Sequence, residues 1–194
     1  ADQLAHIKER IEYNRWPVEF FVTPCAVTCV EPLEQMGVEF YKIASKDNEN
    51  AELIAAVGRT GKPAILSTET QTTYWPDVVQ YCVPVYPTPL AKIRLENIPL
   101  WRGFTEVYGK SDIIGYSDHS GTPTMGIAAA ALGAATVEVH LTFSKQMKGR
   151  DHRASLEVAE FAQMVKAIRE IDETRGHKVR ERHNGAVGPV VDSR

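Results

Sequence analysis

The sequence predicts an α/β fold built from repeated βα units, and three observations carry that prediction. Short apolar runs recur along the chain, segments of helical period lie between them, and polar residues gather where each run ends. The runs cover residues 18–21, 40–44, 64–67, 78–85, 113–116 and 136–141, and are rich in Val, Ile, Phe and Tyr. Near-continuous apolar composition suits strands covered on both faces, as in a parallel sheet.

The helical segments justify the other half of the repeat. Residues 1–13 read as a helix. Residues 51–58 place Leu53, Ile54 and Val57 on one side, with Gly61 and Pro63 as a stop. Residues 125–135 are Ala-rich, which suits a helix lying close on a sheet. Residues 155–175 form the clearest helix, with Leu156, Val158, Phe161, Met164, Val165 and Ile168 at helical spacing and Ser155 as a candidate N-cap. Two stretches break the rhythm. Residues 68–77, with Pro76 among them, are short for a helical crossover, which takes a dozen or more residues. Residues 177–194 are polar, with Gly185, Gly188 and Pro189, and read as an irregular tail after a domain spanning 1–176.

Composition narrows the function. With 194 residues the chain can bury a full core without disulfides. Lys and Arg number 22 against 25 Asp and Glu, so the chain lacks the basic excess of a nucleic-acid binder. No apolar run approaches the roughly 18 residues of a membrane span. Cys25, Cys29 and Cys82 make no secreted disulfide pattern, and a cytoplasmic location is expected. Cys82 reads as a packing residue.

The strand ends hold the chemistry. Thr23 follows the first run, Lys42 and Ser45 belong to the second, and Ser67 ends the third. Tyr86 follows the fourth, Ser117, Asp118 and His119 the fifth, and Glu138, His140 and Thr142 the sixth. In a (β/α) barrel, strand C-termini converge on the face that carries the active site. Singly, Thr23, Ser45 and Ser67 are as well explained by capping strand-end backbone groups. Lys42 interrupts an apolar run, where an unpaired ammonium would be costly. A bound phosphate is the preferred partner over a surface salt bridge. His119 and His140 end consecutive runs and could together hold a divalent cation, although from the spacing alone two core histidines satisfied by backbone are the preferred reading.

These pieces resemble the N-acetylneuraminate (sialic acid) synthase family, including the legionaminic and pseudaminic acid synthases. The resemblance runs through Val22-Thr23-Pro24, Tyr41-Lys42-Ile43-Ala44-Ser45, Gly61-Lys62-Pro63-Ala64-Ile65-Leu66-Ser67-Thr68 and Tyr86-Pro87-Thr88-Pro89. It continues through Gly115-Tyr116-Ser117-Asp118-His119, Glu138-Val139-His140-Leu141-Thr142 and Gly149-Arg150-Asp151-His152. The resemblance implies a TIM (β/α) barrel, here incomplete, with about six of eight βα units and the first two strands missing. It implies condensation of phosphoenolpyruvate with an N-acetylated amino sugar such as N-acetylmannosamine. Thr23, Lys42, Ser45, Ser67 and Ser117 would then hold phosphoenolpyruvate, and His119 and His140 would bind Mn²⁺ or Mg²⁺. Asp47, Tyr86 and Asp151 would stand by the substrates as catalytic residues. Departures are Glu69-Thr70 where the family has Gly-Met, Pro84 for an Asn and Val139 for a Lys. A catalytic Glu, a Lys and an Asn of the family's first two strands, and a C-terminal antifreeze-like domain, have no counterpart. A homodimer or higher homo-oligomer is expected, because an open sheet exposes its edges. A non-catalytic remnant that keeps anion and metal binding is the alternative, and a barrel enzyme for another phosphorylated sugar is a third reading.

Overall fold

The computed structural model describes residues 2–70, 72, 76–108 and 113–175. The polar tail at 177–194 and residues 71 and 73–75 of the connection after Ser67 lie outside the described residues. Five strands run parallel in sequence order: β1 (Tyr41–Ile43), β2 (Ala64–Thr68), β3 (Val78–Cys82), β4 (Ile114–Asp118) and β5 (Val137–Val139). Six helices accompany them: α1 (Asp2–Tyr13), α2 (Val30–Gln35), α3 (Ala51–Gly58), α4 (Asn97–Tyr108), α5 (Pro123–Ala131) and α6 (Val158–Thr174). A small second sheet pairs β6 (Leu141–Thr142) with β7 (Leu156–Glu157).

The strands alternate where continuous apolar runs were expected, and the alternation decides what each face does. The helix-facing row contains Ile43, Leu66, Val79 and Ile114 in register, with Tyr81 beside Tyr116 on the next rung. All six are at most 1% exposed. Tyr81 stacks on Tyr116 at 6.0 Å and meets Trp101 of α4 edge-on at 5.6 Å. The opposite row is polar, with Ser67 beside Gln80 and Gly115, and Cys82 beside Ser117 and Glu138. A parallel sheet with a polar inner face and helices outside is curled rather than flat. The ion pair between Lys42 on β1 and Glu138 on β5 measures that curl at 3.2 Å. A flat sheet would separate these outer strands by about 19 Å, four interstrand spacings, which two side chains cannot span. The sheet is a half-barrel.

Several elements differ from expectation. Residues 18–21 make no ladder. The only trace of that strand is a parallel bridge from Val22 to Tyr41, and Val18 and Phe21 remain exposed. Among the described residues no further strand pairs with this edge. The sixth run divides at His140, whose carbonyl accepts the Leu156 amide at 2.8 Å and opens the β6–β7 pair. That pairing overrides the expected helix start. Leu156 and Glu157 are extended, and α6 begins at Val158 under a capping box of Glu157 and Glu160. Ser155 is no N-cap; its hydroxyl donates to the Asp151 carbonyl at 2.7 Å. Helix α4 was not foreseen, because Pro99 in its first turn and Gly103 near its middle mask the period that Ile98 and Trp101 carry.

Candidate active site

The C-terminal ends of β1 to β5 and the turns after them bring most of the expected residues together. Lys42 is the centre. Its residue is 4% exposed, and its ammonium donates to the Ser67 hydroxyl at 2.8 Å. It also pairs with Glu138 Oε2 at 3.2 Å, without the alignment of a hydrogen bond, so that this buried oxygen has no hydrogen-bond partner. The anion beside this lysine is thus a carboxylate from across the half-barrel. Burial explains the pairing: a desolvated ammonium is costly without an anion beside it.

Behind Lys42 the inner face is wired laterally. Ser67 donates to Gln80 Oε1 at 3.3 Å, and Gln80 Nε2 donates to the Thr136 hydroxyl at 3.1 Å. The second bond passes over β4, and Gly115 makes the passage. A Cβ there would lie 2.1 Å from Thr136 Oγ1 and 2.9 Å from Gln80 Cγ. The Ser45 and Ser117 hydroxyls lie against the Cys82 thiol, which burial pushes upward in pKa while they and Lys42 pull the other way. Cys82 is therefore neither surface nor simple packing; it floors the site 3.8 Å from His119 Nδ1.

His119 and His140 meet, with ring centroids 5.2 Å apart. The geometry of His119 suits a ligand. Its Nδ1 faces the Val83 carbonyl at 3.3 Å, and since a carbonyl only accepts, Nδ1 carries the proton and Nε2 keeps its lone pair. Burial above all holds this imidazole neutral, with its pKa pulled down to about 4. A cation bound here would find two imidazoles and open positions. Among the described residues no group of three or more His, Cys, Asp or Glu could hold an ion unaided. Tyr86 packs on both rings, at 4.0 Å from His119 and edge-on at 5.7 Å from His140. Burial pushes its hydroxyl up to about 12, assisted by the charges of Cys82, Asp151 and Glu138. Thr88 pins this loop by donating its amide to the His119 carbonyl at 2.8 Å.

The remaining expected residues lie at the rim. Thr23 is half-buried just after the Val22 bridge. Asp47 follows Ser45 in a short turn, its Oδ2 buried without a hydrogen bond and 3.8 Å from Lys46 Nζ. Asp151 is exposed, and its charge reaches Tyr86. Asp118 faces the helices; it accepts from Tyr116 at 3.1 Å and from the Ser120 amide at 2.9 Å, shaping the turn that carries His119. Sequence reasoning passed over Gln80, gave Cys82 a packing role and left Glu138 without one. Strand parity finds all three, since they fall on the same inner face as Ser67, Ser117 and His140. A surface concavity of about 610 Å³ beside Phe161 and Val165 of α6 is lined by none of these residues.

Polar groups collected at the C-terminal ends of a curled parallel sheet define the class of β/α enzymes that work from one rim. The chain belongs to the NeuB family, whose model matches residues 1–74 and 76–180. The N,N'-diacetyllegionaminic acid synthase of Campylobacter jejuni is 28% identical over 93% of this chain and 57% of its own length. The human N-acetylneuraminate-9-phosphate synthase is 33% identical over 78% of this chain and 45% of its own. Among solved structures, an N-acetylneuraminic acid (sialic acid) synthetase from Leptospira borgpetersenii superimposes with a TM-score of 0.78. It is 29% identical, over 94% of this chain and 66% of that one. The chain thus spans about half the length of the curated relatives it matches.

Proposed function

We propose that this chain carries the condensing face of a sialic acid synthase-type enzyme, joining phosphoenolpyruvate to an N-acetylated amino sugar and releasing phosphate. The half-barrel and the Val22 bridge are read as six of the eight strands of a TIM barrel, working in the cytoplasm. The observation that carries the reading is a buried ammonium, Lys42, set between hydroxyl groups and a histidine pair on one rim.

In this reading Lys42 supplies charge to the phosphoenolpyruvate phosphate, and Ser45, Ser67, Ser117 and Thr23 supply hydroxyl donors. His119 and His140 fit a Mn²⁺ or Mg²⁺ ion, which when bound polarises the acceptor's carbonyl and orients phosphoenolpyruvate. Val83 fixes the His119 tautomer by accepting from Nδ1, and Tyr86 holds both imidazole planes by packing on them. Asp47 and Asp151 border the acceptor side, where carboxylates can accept from sugar hydroxyls or carry a proton.

The deciding experiment is phosphate release from phosphoenolpyruvate in the presence of Mn²⁺ and N-acetylmannosamine. Release that depends on both the sugar and the metal is expected. Metal binding without any release would overturn the enzyme reading of this chain in favour of a non-catalytic module that binds anion and metal. Self-association is expected as well. Trp16, Val18 and Phe21 leave apolar surface by the first strand, and Leu141, Phe143 and Val158 leave more just after the last. Light scattering over a wide concentration range should find a dimer or larger; a monomer throughout refutes it.

A further inference from the structure

The Lys42–Glu138 pair places a carboxylate where the proposed function needs an anion, and this has an energetic consequence. Lys42 is buried and cannot stand uncompensated, so some negative charge must accompany it in every state of the protein. Glu138 provides that charge from the far end of the arc, at 3.2 Å. It is also the looser partner. Its side chain is 40% exposed against 5% for Lys42, and Oε2 makes no aligned hydrogen bond. The lysine, by contrast, is fixed by Ser67, which is itself fixed through Gln80 to Thr136.

A phosphate arriving at Lys42 therefore competes with Glu138. If it wins, Oε2 is left beside a dianion of like sign, in a place that water reaches poorly. One kind of ligand relieves this repulsion: a divalent cation on the neighbouring histidines. Glu138 and His140 are two residues apart and project to the same inner face, and the Glu138 charge is felt at His119.

We propose that Glu138 is an internal stand-in for the anionic substrate, so that anion and divalent cation load this site cooperatively, the cation first. This inference rests on the anion-site reading of Lys42 given above. Glu138 weakens the Lys42 site while the metal is absent, and so makes the affinity of that site conditional on the metal. Free phosphate or a phosphorylated metabolite without the metal meets an occupied ammonium. With the metal present the carboxylate has a cation to face, and phosphate can take its place at the lysine. The coupling is reciprocal by linkage, so phosphate must raise metal affinity by the same factor.

The probe is inorganic phosphate, titrated by calorimetry against the full chain with and without Mn²⁺. The wild-type protein is expected to bind phosphate at least about fivefold tighter when Mn²⁺ is present. Glu138→Gln should bind phosphate about fivefold tighter than wild type in the absence of metal, and the gain on adding Mn²⁺ should shrink. Glu138→Asp keeps the charge but draws it back from Lys42, and should fall between the two. Both variants binding metal-free phosphate no better than wild type, while Lys42→Ala loses it, would overturn the stand-in role and leave the anion site intact. Phosphate binding unchanged in Lys42→Ala would instead overturn the anion-site reading, and this inference with it.

Discussion

Replacement of His119 by alanine is expected to lower Mn²⁺ affinity by at least about a hundredfold, the scale on which loss of even a supporting group acts at metal sites. The reason is the small number of protein donors. Two imidazoles 5.2 Å apart share the ion, and no larger cluster of His, Cys, Asp or Glu exists among the described residues to take over. His140→Ala should cost a similar factor. Electron paramagnetic resonance of free Mn²⁺ reads both, and unchanged affinity in the two variants would refute the pair as a metal site. Tyr86→Phe keeps the ring packing on both histidines and should leave the affinity nearly intact, which separates loss of a ligand from loss of local order.

The second large effect concerns acid stability of the metal-free protein. Burial depresses the His119 pKa to about 4, from an ordinary value of 6.5. Between those two values the unfolded chain binds a proton that the folded chain refuses. Stability contributed by the neutral, buried ring is therefore complete above pH 6.5 and is lost as pH falls toward 4. The depression corresponds to about 3 kcal/mol over that window. Asp118, whose pKa is raised by burial, works in the opposite direction at the lower end. Glu34 and Glu160 are lowered, so their contribution is lost below pH 4.5, mostly outside the window. The difference between wild type and His119→Phe isolates the histidine. Denaturant melts from pH 7 to 4 should show wild type losing stability faster than the variant, and parallel curves would refute the buried neutral ring.

Much of this architecture was legible from residue order. The polar strand ends follow from where Thr23, Lys42, Ser45, Ser67, Ser117 and the two histidines fall after apolar runs, and the curled sheet brings all but the rim residues to one place. Two things were not legible. The alternation inside each strand was hidden because short strands of three to five residues carry only one to three inner positions, as in Tyr41-Lys42-Ile43. The partner of Lys42 was hidden because Glu138 is 96 positions away by number, and only the curl of the sheet makes them neighbours. Val22 shows the opposite limit. The run 18–21 before it has strand composition, but a strand is a property of pairing, and there only Val22 pairs, with Tyr41, in a single bridge.

The half-barrel has a further property that its strands do not confer. Neighbouring strands are stitched by backbone ladders, yet the first and fifth strands are joined across the lumen by a single pair of opposite charges. Such a tie differs from a ladder in kind: both charged atoms are buried, so dissolved ions screen the pair little, and it holds only while both charges are present. The width of the aperture above Lys42 thus answers to the loss of one side chain's charge rather than to the surrounding electrolyte.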